Sequence, residues 1–134
     1  MPSVLNPYVS FEGTAREALE FYASVFGGTP AVTTFGEGGM PGPDGDKVMH
    51  GILETTSGFT IMGADAPTGM QRAPGNTMSI SLSGTDVDEL RGYWDKLSGG
   101  GTVIMPLATQ VWGDEFGMCS DRFGTPWMVN ISQQ

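Results

Sequence analysis

The chain has 134 residues, one cysteine and a net charge of -9 at pH 7, with only six Lys and Arg. No basic cluster is present to neutralise phosphates, which excludes nucleic acid and anionic membrane surfaces as partners. Cys119 alone can form no intrachain disulfide and fits a reducing, cytoplasmic setting; no segment approaches the about 18 apolar residues of a membrane span, and the first residues lack the pattern of a secretory signal.

Alternation over residues 4–11 predicts a first strand, with Tyr8 and Ser10 on one face and Val9 and Phe11 on the other. Gly13 breaks it. Thr14 and Glu17 then read as an S/T-x-x-E capping box, the pairing that satisfies free N–H groups at a helix start. Ala15, Ala18, Leu19, Tyr22, Val25 and Phe26 follow at helical spacing as one apolar stripe, and Gly27 and Gly28 end it. A strand is expected over 30–35, a Gly/Pro-rich loop over 36–46, a strand over 47–55 and a tight turn at Ser57-Gly58. The next strand, over 59–64, sets Phe59 and Ile61 against Thr60 and Met62, and a second loop covers 65–75.

The order then repeats. Met78, Ile80 and Leu82 alternate with Ser79, Ser81 and Ser83 over 77–83, and Gly84 breaks the strand. Thr85 and Asp88 echo the capping box, and Val87, Leu90, Trp94 and Leu97 form a second helical stripe ended by residues 99–101. Three strands follow, over 102–112, 115–120 and 126–131. The expected fold class is therefore α+β: a single domain over 1–134 made of two βαβββ modules, 1–66 and 76–134, forming a cupped mixed sheet with the helices on its outer face.

The apolar faces of the strands, Val9 and Phe11, Phe59 and Ile61, Ile80 and Leu82, with Trp127, Val129 and Ile131, are expected under the helices. That leaves Tyr8, Ser10, Thr60, Met62, Ser79, Ser81, Met128 and Asn130 on the opposite face. Hydroxyl, amide and thioether groups together are too polar for a sealed core and too apolar for open surface, a mixture that suits a concave small-molecule pocket.

The segments Asn6-Pro7-Tyr8, Ala18-Leu19-Glu20-Phe21-Tyr22, Val25-Phe26-Gly27-Gly28, Val48-Met49-His50, Met105-Pro106-Leu107, Val111-Trp112-Gly113 and the run from Asp121 to Asn130 give the chain a family likeness. It resembles the vicinal oxygen chelate superfamily of glyoxalase I, bleomycin-resistance proteins and extradiol dioxygenases, and most of all its PhnB-like branch. In metal-dependent members, four ligands come from the first and last strand of each half. The resemblance places Tyr8, Met62, Ser79 and Met128 at those positions. Zinc, nickel and iron(II) take imidazole and carboxylate rather than this set, so no metal and no cofactor are expected. The resemblance also implies a homodimer with twofold symmetry.

Other chemistry is sparse. His50, the only histidine, sits four positions from Glu54 on one strand; the two could share a face as base or metal ligands, or His50 could simply be a hydrogen-bonded pocket residue. Cys119 has no neighbouring His or Lys to lower its pKa and reads as packing. Trp112 could stack on a planar ligand or fill the core. Relatives in the branch carry a demethylubiquinone methyltransferase label, but no Gly-rich strand-to-helix turn of a doubly wound fold is present, nor a Ser–His–Asp or P-loop motif. No catalytic residue is assigned. The expected function is metal-free binding of a small, flat, weakly polar molecule by Tyr8, His50, Met62, Ser79, Ser81, Trp112, Met128 and Asn130; the alternative is a metal-dependent lyase, isomerase or dioxygenase with displaced ligands.

Overall fold

Two strand–helix–three-strand runs follow one another along the chain. The first is β1 (Tyr8–Phe11), α1 (Ala15–Phe26), β2 (Thr29–Thr34), β3 (Val48–Glu54) and β4 (Thr60–Asp65). The second is β5 (Ile80–Gly84), α2 (Val87–Ser98), β6 (Thr102–Thr109), β7 (Glu115–Ser120) and β8 (Pro126–Ile131). They are seen in a computed structural model that describes residues 5–39, 42–67 and 78–132. The chain divides into two units, Met1–Ala73 and Pro74–Gln134. No described helix is long and apolar enough to cross a membrane.

Each unit carries one four-stranded mixed sheet. The orders are β1-β4-β3-β2 and β5-β8-β7-β6, the same permutation twice. In both, the first strand lies parallel to the last and the remaining neighbours are antiparallel. The architecture is thus α+β, with two βαβββ modules.

One helix covers one face of each sheet. α1 buries the six residues of its predicted stripe, Ala15 through Phe26. It lies close to β3 because Gly51 has no side chain: a methyl group there would stand 2.5 Å from Leu19 Cδ1. α2 buries Leu90, Tyr93, Trp94 and Leu97. Val87, expected in that stripe, is only half-buried, and Tyr93 takes its place. The Trp94 ring rests over Gly117 of β7, where a methyl group would come within 2.9 Å of both the ring and Leu107 Cα. Beneath the helices, Phe11, Leu53, Ile61, Leu82, Trp127, Val129 and Ile131 are buried. Phe59, expected among them, sits at the turn before β4, 39% exposed, edge-on to Phe26 at 5.7 Å.

The helix starts differ from the spacing-based expectation. Thr14 makes no side-chain cap. Instead the buried carboxylate of Asp65, at the end of β4, accepts the N–H groups of Gly13 (2.8 Å) and Ala15 (2.9 Å) through Oδ1 and that of Val48 (2.9 Å) through Oδ2. α2 is capped by Asp86, which accepts from Glu89 N–H, rather than by Thr85. A second buried carboxylate, Asp121, ties the β7–β8 turn: it accepts from Phe123 and Thr125 N–H and from the Trp127 indole at 2.9 Å.

Strand ends also shift. β7 and β8 keep their predicted limits, but β6 stops at Thr109, because Gln110 N–H donates to Asp114 and Gly113 N–H to Gln110 in a turn. The 36–46 segment is laced with turn bonds where described: Gly36 N–H donates to Gly45, and Thr34 and Glu37 exchange backbone-to-side-chain bonds. The strand expected from residue 4, and the loop expected to 75, lie outside the described residues at 4 and beyond 67.

Candidate functional site on the open sheet faces

Register assigns the face of each sheet away from its helix. In the first sheet, Tyr8 pairs with Met62, Met62 with Ile52, and Ile52 with Ala31. Directly paired residues stand on the same face, so these four form a row across the sheet. His50 lies two residues from Ile52 along β3, on that face, opposite Thr33. Tyr8 and His50 meet across β4: the phenol Oη is 3.4 Å from the imidazole Nδ1, and the ring centroids are 5.9 Å apart at 33°. Tyr8 is 50% exposed, and His50, Ile52 and Met62 are half-buried.

The second sheet repeats the arrangement with softer groups. Ser81 pairs with Met128, Met128 with Met118, and Met118 with Met105. Asn130 pairs with Ser83 and Phe116 on the same face, and its Nδ2 donates to Asp114 at 3.1 Å. Trp112 is 58% exposed, so it is not a core residue; its ring meets Phe116 at 6.0 Å, near the edge. Ser79 is exposed just ahead of β5, and register puts Ser81, not Ser79, opposite Met128. Within their own modules, then, Tyr8, His50 and Met62 come together, and so do Ser81, Met128 and Asn130. Sequence reading passed over Ile52, Met105, Phe116 and Met118. Counting alternation outward from Gly51 and Gly117, which lie under the helices, would have found three of them.

A divalent metal does not fit these residues. Tyr8 with Met62, and Met128 with Ser81, offer phenol, thioether and hydroxyl where divalent ions favour imidazole and carboxylate. Four strand positions separate His50 from Glu54, about 13 Å of backbone at ~3.3 Å per residue, and Ile52 stands between them on the same face. That span is several times a metal–ligand bond of about 2 Å. Among the described residues, no three His, Cys, Asp or Glu side chains group together. Cys119 lies on the helix side, fully buried, and its thiol is pushed up to about 11, first by burial and then by the nearby Asp121 carboxylate. It is a poor nucleophile there. Glu37, exposed in the 36–46 turns, is held below its usual value by its hydrogen bonds to Thr34.

A family model described as 3-demethylubiquinone-9 3-methyltransferase matches residues 3–130. Protein YjdN of Escherichia coli is 30% identical, over 97% of this chain and 96% of that protein. The crystal structure of PA1353 from Pseudomonas aeruginosa superposes with a TM-score of 0.88 at 36% identity, covering 99% of this chain and 100% of that one. A PhnB protein from Bacillus cereus does so at 0.78 and 26%, over 97% and 100%. At the level of fold alone, a glyoxalase/bleomycin resistance/dioxygenase domain from Frankia (0.65, 11%) and FosX from Mesorhizobium loti (0.59, 9%) share the arrangement, each over at least 94% of both chains. The chain belongs to the 3-demethylubiquinone-9 3-methyltransferase family, the PhnB-like branch of the vicinal oxygen chelate fold.

Proposed function

We propose that this protein binds a small, flat, weakly polar molecule on the open faces of its sheets, without a divalent metal. The observation that carries this reading is the composition of those faces. His50, Met62, Phe116, Met118, Met128 and Asn130 stand there half-buried, with the Tyr8 ring and the Ser81 hydroxyl exposed beside them, while the opposite faces are sealed by helices. Thioethers give an adaptable, polarizable wall, and Tyr8, Ser81 and Asn130 supply the few polar groups that orient a ligand.

Methyl transfer, named in the family description, finds no support at the helix starts. The first turns, where an anionic cofactor group would bind, already hold carboxylates: Asp65 accepts from Gly13 and Ala15 N–H at α1, and Asp86 from Glu89 N–H at α2. The experiment is a thermal-shift screen of planar aromatic compounds, run with EDTA and again with zinc, nickel or iron(II), beside metal analysis of the purified protein. Stabilisation by at least one compound in EDTA supports the reading; stabilisation that requires an ion, or stoichiometric metal after purification, contradicts it.

We also propose a twofold homodimer. β6 is the outer strand of its sheet, and Val103, Ile104 and Met105 on it are exposed. A bare apolar edge invites pairing with another chain, and a second copy covers it by a self-complementary contact.

A further inference from the structure

We propose that His50 offers its Nε2–H to an acceptor oxygen of the ligand, which makes the ligand class a planar aromatic carbonyl compound; this rests on the open-face reading above. The argument starts from the Tyr8–His50 contact, 3.4 Å between Oη and Nδ1. A phenol is the better donor of the two and a neutral imidazole nitrogen the better acceptor, so the proton lies on the phenol and points at Nδ1. A neutral imidazole that accepts at one nitrogen donates at the other. The contact therefore favours the tautomer with hydrogen on Nε2.

Among the described residues no hydrogen bond uses Nε2. The Nε2–H is thereby left to an acceptor from outside the described residues, on an imidazole that is itself half-buried. Met62 and Ile52 stand beside the pair on the same face, an apolar floor on which a flat ring can lie. Two features choose a neutral carbonyl over a carboxylate or phosphate. No Lys or Arg stands in the paired rows around His50, Ile52, Met62 and Tyr8, and the chain's net charge of -9 repels anions.

The test uses a matched pair, 2-acetonaphthone and 2-ethylnaphthalene, similar in shape and differing in the carbonyl oxygen. Binding is followed by NMR in EDTA at pH 8. The chain has one histidine, so a long-range proton–nitrogen spectrum reports a single imidazole. The free protein should show the Nε2–H tautomer. The ketone should bind about three- to tenfold more tightly than the hydrocarbon, the worth of one ordinary hydrogen bond, and Nε2 should shift on binding. That ratio should fall to about one in His50→Phe, with His50→Leu as a second variant that also lacks a donor should the first fail to fold, and Tyr8→Phe should release the imidazole into mixed tautomers. An Nδ1–H tautomer in the wild-type protein overturns the proposal, as does equal binding of the two probes. Equal binding leaves the open-face reading standing, whereas binding of neither probe sinks both.

Discussion

Asp65 accepts the backbone N–H of Ala15 at 2.9 Å across 50 residues of sequence, and with it the N–H of Gly13, so the helix of the first module is capped by the module's last strand. The same carboxylate holds the first residue of β3, Val48. One buried side chain thus joins the start of α1 to both central strands, β3 and β4.

Asp65→Ala leaves three backbone donors without their acceptor, each worth about 1–3 kcal/mol when buried. Loss of about 3 kcal/mol or more is expected in urea unfolding. Thr14→Ala, at the residue the capping-box pattern points to, should change stability by less than about 0.5 kcal/mol, because Thr14 makes no cap bond. The reverse order would contradict the assignment.

That contrast shows how far the sequence could be read. Alternation and helical spacing are local, and they gave the element order, the limits of β7 and β8, and the split between helix-facing and open faces. A cap supplied from 50 residues away leaves no local trace, so the Thr14 pattern looked complete without it. Register is non-local as well. Alternation along one strand sets Ser79 and Ser81 on the same face and cannot choose between them, whereas strand pairing puts Ser81 beside Met128. Phe59 lies one residue ahead of β4, in the turn, where alternation no longer sets the face and the ring meets Phe26 at the end of α1. The His50–Tyr8 contact crosses β4, so no spacing rule could show it.

Gly117→Ala should destabilise by about 1–3 kcal/mol through overpacking. The added methyl meets Leu107 Cα and the Trp94 ring at 2.9 Å, and backbone cannot swing aside as a side-chain tip can. Gly92→Ala on α2, with open space around it, is the control and should be neutral or stabilising. Thermal unfolding of the two variants checks the pair.

Cys119 makes stability fall with alkaline pH. Its folded-state pKa is about 11 against an ordinary 9.0, so the native state holds this proton more tightly than the unfolded chain. The contribution is whole below about pH 9 and is lost as pH rises through about 11. Wild-type protein should lose more stability than Cys119→Ala across that window. At pH 8, the native thiol should resist Ellman's reagent and react fully in urea; fast reaction of the folded protein would contradict the burial.

Ile104→Lys places a charge on the exposed edge of the second sheet. Sedimentation should give a dimer for the wild-type protein at micromolar concentration and a monomer for the variant. A wild-type monomer would refute the assembly.

Tyr8→Ala and Met128→Glu alter open-face positions that are exposed or half-buried, so each should weaken ligand binding while far-ultraviolet circular dichroism stays unchanged. Normal binding by both variants would remove the ligand from these faces.

The central claim is most directly tested by labelling the methyl groups of the nine methionines with carbon-13, since among the described ones Met62, Met118 and Met128 stand on the open faces and Met78 does not. Planar aromatic compounds are titrated in EDTA and the methyl resonances followed. Met62, Met118 and Met128 should move, with Met78, exposed ahead of β5, unaffected. Shifts that spare those three, or that develop only after a divalent metal is added, would contradict metal-free binding on the open sheet faces.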